Sequence, residues 1–320
     1  MAFVSLLKSA IRFATVFLFG STGESISQKS GHLNLGTPGV MCMGAFGGIL
    51  GVSIVLNATN GNVSGGIGFL CVLVGILFAL LFGAICGALF SFFAITLKCN
   101  QNVTGLTLTT LGSGLFAYGI KNAKSQYLTR AASAFQNLFP IQNGMNWFTD
   151  LFLDYGILVY LAIAVSIVAS VVISRTRVGL RLRSVGENPA TADASGIDVA
   201  KYRYIATMIG CAISALGGLF MIMDYMGGSV EYNLAEYGWL AVCIVISSMW
   251  KPSIGIAGSF LFGLLYVLPY KVGLSFSGIN FMKLVPYIVT IVILIITSLI
   301  NTKTTQPPAG LGLTYDREER

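Results

Sequence analysis

From Gly66 to Leu97 the chain carries no Asp, Glu, Lys or Arg, and apart from Ser91 and Thr96 every residue is apolar or glycine. About 20 such residues cross a bilayer as a helix. This run is longer than one perpendicular span needs, so it predicts either one long tilted helix or two short ones with a break near Gly83. Comparable runs lie near 103–120, 151–174, 202–223, 237–250, 253–270 and 283–300, and further helices are expected near 3–20 and 38–57. Charged residues make up only 10% of the chain, against about 25% in ordinary globular domains. That is too little to cover a soluble surface, and the mean hydropathy of +0.81 agrees. The expected fold is an all-α polytopic membrane protein with about eight to ten transmembrane helices. A single transmembrane domain is expected over 1–302 and a tail over 303–320, with the span count least determined in the first hundred residues.

The same facts exclude several function classes. The net charge of +7 does not point to nucleic acid, because the basic residues sit between apolar runs, where they orient a membrane protein. Cys42, Cys71, Cys86, Cys99, Cys211 and Cys243 are scattered with no C-x-x-C pair and read as small packing residues. The single histidine, His32, offers no metal cluster, and neither a metal nor any other cofactor is expected. Lys8 and Arg12 interrupt the first apolar run, which predicts a retained helix rather than a cleaved leader.

The strongest basic cluster is the loop 175–203, with Arg175, Arg177, Arg181, Arg183, Lys201 and Arg203. The excess of Lys and Arg on cytoplasmic loops places it in the cytosol. Counting spans outward puts Lys98, Lys251 and the C-terminal tail on the same side, with Lys121, Lys124 and Arg130 on the other. Gly44 and Gly48, Gly47 and Gly51, and Gly83 and Gly87 are spaced four apart, as helices in close contact require. Lys29–Gly39, KSGHLNLGTPG, can be laid over Gly228–Gly238, GSVEYNLAEYG, which hints at an internal repeat of the kind many transporters contain.

Within the basic loop, GENPATADASG reads as one short helix. Asn188 is an N-cap, Pro189 fits the first helical position, Ala190, Ala192 and Ala194 favour helix, and Gly196 ends it. A helix under two turns is marginal alone in water and needs a surface to lie against. Its small side chains suit the groove of a partner.

The stretch GLRLRSVGENPATADASGIDVAKYRY resembles the cytoplasmic loop of bacterial ABC import permeases of the ribose, nucleoside and branched-chain amino acid group. SQKSGHLNLGTPGVMCMGAFGG, YGWLAVCIVISSMWKP, LVPYIVTIVIL and the tail PPAGLGLTYDREER resemble other segments of that group in the same order, the tail pointing to its nucleoside and simple-sugar branch. Pro38-Gly39 departs from the acidic residue and glycine usual there. The resemblance implies that Gly186, Glu187, Asn188, Pro189, Ala190, Thr191, Asp193 and Gly196 form a coupling helix docked on a separate ATPase subunit. It also implies a second, homologous permease subunit, an extracytoplasmic binding protein that delivers the solute, and a multi-pass location in the bacterial inner membrane with a cytoplasmic C-terminus. The chain has no G-x-x-x-x-G-K-[ST] and so is expected to be no enzyme itself.

Polar groups at membrane depth usually face a cavity. On that ground His32, Asn34, Thr37, Thr107, Thr110, Asn233 and Trp239 are the candidates for the solute path. The expected function is translocation of nucleosides or related simple sugars. The alternatives are a branched-chain amino acid or pentose permease of the same group, or an ion-coupled secondary transporter. The last requires ionisable residues in mid-membrane, which the runs 66–97, 253–270 and 284–300 lack.

Overall fold

Residues 66–96 form one unbroken helix that ends in a single π turn. Gly83 is not a break but a contact: a Cβ there would lie 2.5 Å from the Ala215 Cβ of a neighbouring helix. The computed structural model describes residues 2–63, 66–136, 151–229, 234–273, 276–300 and 306–316. The helices are α1 (Ala2–Lys29), α2 (Thr37–Ala58), α3 (Gly66–Ser91, then a π turn over Phe92–Thr96), α4 (Gln101–Asn122), α5 (Ser125–Gln136), α6 (Ile157–Arg175) and α7 (Arg177–Glu187). They continue with α8 (Pro189–Ala194), α9 (Val199–Phe220, then a π turn over Met221–Tyr225), α10 (Ala235–Ser247), α11 (Pro252–Val272), α12 (Phe276–Met282) and α13 (Val285–Ile300). Among the described residues eight helices are long and apolar enough to cross a membrane, and there is no strand. The chain is an all-α polytopic membrane protein.

Three helix bounds differ from the sequence reading for identifiable reasons. The first helix does not stop near residue 20 but runs to Lys29, through the polar stretch STGESISQK. Thr22, Glu24, Ser25, Ser27 and Gln28 are all buried, and Glu24 and Gln28 find their partners inside the bundle rather than in water. The span expected from 151 begins as α6 at Ile157, preceded by Gly156, whose bare Cα abuts the Phe135 carbonyl and the Asp224 carboxylate. The span expected over 237–250 is α10, which has only 13 residues. At 1.5 Å per residue it reaches about 20 Å, short of the ~30 Å hydrocarbon layer.

The centre is built from α1 and α9, which lie antiparallel. Arg12 bonds to Asp224, Ser214 donates to the Gly20 carbonyl at 3.2 Å, and Gly23 and Gly210 meet backbone to backbone. The glycine pairs divide between two neighbours. Gly44 and Gly48 receive Ala215 and Leu219 of α9, while Gly47 and Gly51 of the same helix receive Phe78 and Phe82 of α3. Close backbone approach of this kind is how helices associate without a hydrophobic driving force.

Two helices start inside the bundle. α2 begins at Thr37, bonded to Glu24 in the second half of α1, and α10 begins beside Phe13 and Phe17 in its first half. Their starts touch, since a Cβ on Gly238 would lie 2.3 Å from the Pro38 Cα. They then diverge. α10 follows α1, with Ala241 at Gly20 and Trp250 at Gln28, whereas α2 runs the other way beside α9. Each half thus has a long helix followed by a helix that begins at depth, in opposite directions. The sequence echo between 29–39 and 228–238 falls where each long helix gives way to its depth-starting helix, residues 230–233 lying outside the described ones. Inverted repeats give this geometry.

Candidate functional site

The chain concentrates its polar machinery at the end where α1, α6 and α7 meet. Helix α8 forms there as its sequence dictates. The Asn188 side chain accepts from Thr191 N at 3.0 Å, Pro189 occupies the first helical position, and Gly196 closes the turn with φ of +80°. Ala192 is buried against Val185 and Val199, and Tyr315 packs on the same cluster. Ala190, Thr191, Ala194, Ser195 and Gly196 are exposed, so the free face carries only small side chains.

The tail ties this helix to the bundle. Ala309 N donates to the Glu187 carboxylate at 3.2 Å, Gly310 N to the Gly186 carbonyl at 2.9 Å, and Gly312 N to the Gly31 carbonyl at 3.0 Å. Tyr315 donates to Asp193 at 2.9 Å, Arg203 reaches the Leu313 carbonyl at 3.2 Å, and Asp316 pairs with Lys98. Gly186 is buried with its Cα against the Lys29 carbonyl, where a Cβ would come within 2.3 Å. Of the eight sequence-predicted coupling residues, Glu187, Asn188, Ala190, Thr191 and Gly196 are exposed. Pro189 and Asp193 are half-buried, and Gly186 faces inward.

Directly above lies the turn between α1 and α2, which brings together three of the predicted path residues. His32 Nδ1 is 2.8 Å from the Thr207 hydroxyl. Asn34 accepts from Gly36 N at 2.9 Å, and Thr37 donates to Glu24. All three are covered within this chain, at 0–1% exposure. Burial, with the Arg203 charge beside it, pushes the His32 imidazole down to about 3, so it is neutral at ordinary pH. The other predicted residues lie elsewhere. Thr107 and Thr110 are exposed on α4, their hydroxyls donating to Val103 and Thr107 carbonyls of the same helix. Trp239 is half-buried near the start of α10, and Asn233 lies outside the described residues.

Sequence reasoning missed the residues that link these elements. Trp250, between α10 and α11, donates to the Gln28 side chain, which donates at 2.7 Å to Glu24, which accepts from Thr37. This chain of bonds joins α1, the start of α2 and the end of α10. Gln101, at the start of α4, accepts from Leu33 N at 2.9 Å. At the opposite end Arg12 holds the fully buried Asp224 at 2.9 Å. The usable signal was the run of polar residues from Ser21 to Lys29 in register with an apolar helix.

Among the described residues, eight helices long and apolar enough to span a membrane, two helix starts meeting at depth and a small exposed helix at one end are an arrangement that suits a permease component of a membrane transport system. The comparisons agree: residues 6–297 match the family described as branched-chain amino acid transport system / permease component, and the chain belongs to that family. Among its relatives, TsgC13 of Haloferax volcanii, which bears a glucose ABC transporter permease name, is 32% identical, with 83% of this chain and 77% of the relative covered. The nucleoside ABC transporter permease NupC of Lactococcus lactis is 30% identical over 90% of each chain. The guanosine ABC transporter permease NupQ of Bacillus subtilis is 26% identical over 98% of this chain and 97% of its own. No solved structure matches.

Proposed function

We propose that this chain is one of two permease subunits of an ABC importer for nucleosides or related simple sugars. Its coupling helix α8 takes the stroke of a separate ATPase. The observation that carries this reading is the construction of α8: a capped helix whose free face bears only small side chains, fixed on its other face by the tail and by Gly186 to the ends of α1 and α9. A push on that helix is delivered to the turn holding His32, Asn34 and Thr37, and through Glu24 and Gln28 to α10. Those residues hold the two depth-starting helices in position. The same end carries Arg175, Arg177, Arg181, Arg183, Lys201, Lys251 and Lys98, which supports a cytoplasmic position for it and for the tail.

The exposed stripe of α4 differs from that of α3. On α3 it is Phe69, Leu73, Leu77, Leu81 and Ile85, suited to lipid; on α4 the exposed Thr107, Thr110 and Gly114 stand among the apolar Val103, Leu106, Leu111 and Tyr118. We assign the α4 stripe to the solute path shared with the second permease. A binding protein outside the membrane supplies the solute. The test is co-purification from native membranes followed by uptake in proteoliposomes with nucleosides, sugars and branched-chain amino acids offered in parallel. ATP-dependent uptake of a nucleoside or sugar, lost on Thr107→Leu/Thr110→Leu and kept on Leu77→Ala, is expected. Uptake by this chain alone without nucleotide, or of branched-chain amino acids only, refutes the assignment.

A further inference from the structure

The Arg-rich segment contains more cation than a coupling helix needs, and its position has a second use. Between α6 and α9, just above α7, the surface opens into a groove of about 730 Å³. Its walls are aliphatic: Val168 and Val172 from α6, Ile205 and Ile209 from α9, and Val178 and Leu182 from α7. Val168 is 60% exposed, and no described segment of this chain covers the groove. The mouth is different. Arg181 and Lys201 line it, with Tyr202 and Asp198 beside them. Arg181 is held at 3.4 Å by the Tyr202 hydroxyl, and the Asp198 carboxylate is occupied in capping α9, accepting from Lys201 N at 3.0 Å. Among the described residues neither Arg181 nor Lys201 forms an ion pair. Below the mouth, α7 exposes Val178 and Leu180 at 57% and 58% next to Arg177 and Arg181, the pattern of a helix lying in a membrane interface.

We infer that this groove binds an anionic phospholipid, with an acyl chain between α6 and α9 and the phosphate held by Arg181 and Lys201. Charge complementarity selects this occupant. A transmembrane helix of another subunit would not need two cations at the interfacial end of an otherwise aliphatic groove, whereas a phospholipid presents an anion there and hydrocarbon above it. The groove is bounded by α7, so an occupied site braces the segment that carries α8.

The test is native mass spectrometry of the full chain with its co-purifying subunits, from nanodiscs holding equal phosphatidylglycerol and phosphatidylcholine. Wild type is expected to retain phosphatidylglycerol in preference to phosphatidylcholine. Arg181→Glu/Lys201→Glu, at exposed positions, is expected to weaken that retention about tenfold or more. Val168→Trp, which fills the groove, should displace the lipid with the charges intact. Equal retention of both lipids, or of phosphatidylglycerol by wild type and the charge-reversed variant, overturns the site. So does a disulfide between Val168→Cys and a cysteine-substituted helix of the second permease. These readouts are independent of transport, so this site and the importer assignment fail separately.

Discussion

A glycine in this bundle is a measure of how near a second backbone lies. A Cβ on Gly44 would sit 2.0 Å from the Ala215 carbonyl, while Gly114 has nothing within 4 Å. Gly44→Val is therefore expected to lower the melting temperature in detergent, at a cost of about 1–3 kcal/mol from overpacking alone, and Gly114→Ala to be neutral or slightly stabilising. Buried charge makes a second prediction at this scale. Arg12→Leu leaves Asp224 buried without its cation and should cost about 3–5 kcal/mol. Adding Asp224→Leu should recover much of that, which a double-mutant cycle of melting temperatures measures. His32 gives a pH dependence. Its imidazole refuses a proton down to about 3 when folded, but the unfolded chain binds one below about 6.5. Stability should thus fall as pH drops through that window, the unfolded state binding more protons, and His32→Gln should flatten the decline in thermal melts. His32, Asn34 and Thr37 were legible in the sequence as a polar group between two apolar helices. Glu24 and Gln28 were not, because a run of polar residues reads as a helix end until their partners Thr37 and Trp250, distant in sequence, are brought beside them.

Helix α8 shows how far local chemistry reaches. Its cap, its first-turn proline and its terminating glycine are all within eleven residues, and the helix forms where they say. What the local sequence does not say is which face is free. Tyr315 and Asp193 lie 122 positions apart, yet they decide it. At this scale Thr191→Arg, on the exposed face, is expected to abolish coupled ATP hydrolysis while the melting temperature of the isolated subunit is unchanged. Ala192→Arg should instead disrupt the Val185–Val199 cluster and lower it. Gly186→Val should behave like the second, since its Cα touches the Lys29 carbonyl rather than any outside surface. ATPase assays beside detergent melts separate the two outcomes.

Across the whole molecule, two long antiparallel helices and two helices starting at depth divide the chain into halves of opposite direction. An introduced thiol at Thr191 should be labelled by an impermeant reagent only from the cytosolic face, and one at Tyr118, at the other end of α4, only from outside. Labelling of both from one face contradicts this topology. The sequence by itself determined the solvent, the helical class and the grouping of basic loops. Those follow from hydropathy, length and charge, properties each segment has wherever its neighbours lie. Only the tertiary structure decided that α1 continues to Lys29, that α10 begins inside the bundle, and that the tail clamps the start of α8. Each of these rests on a polar group or a bare Cα being satisfied by a residue far away in the chain, and within a low-dielectric interior such long-range pairings, not local propensity, set where a helix can start and stop.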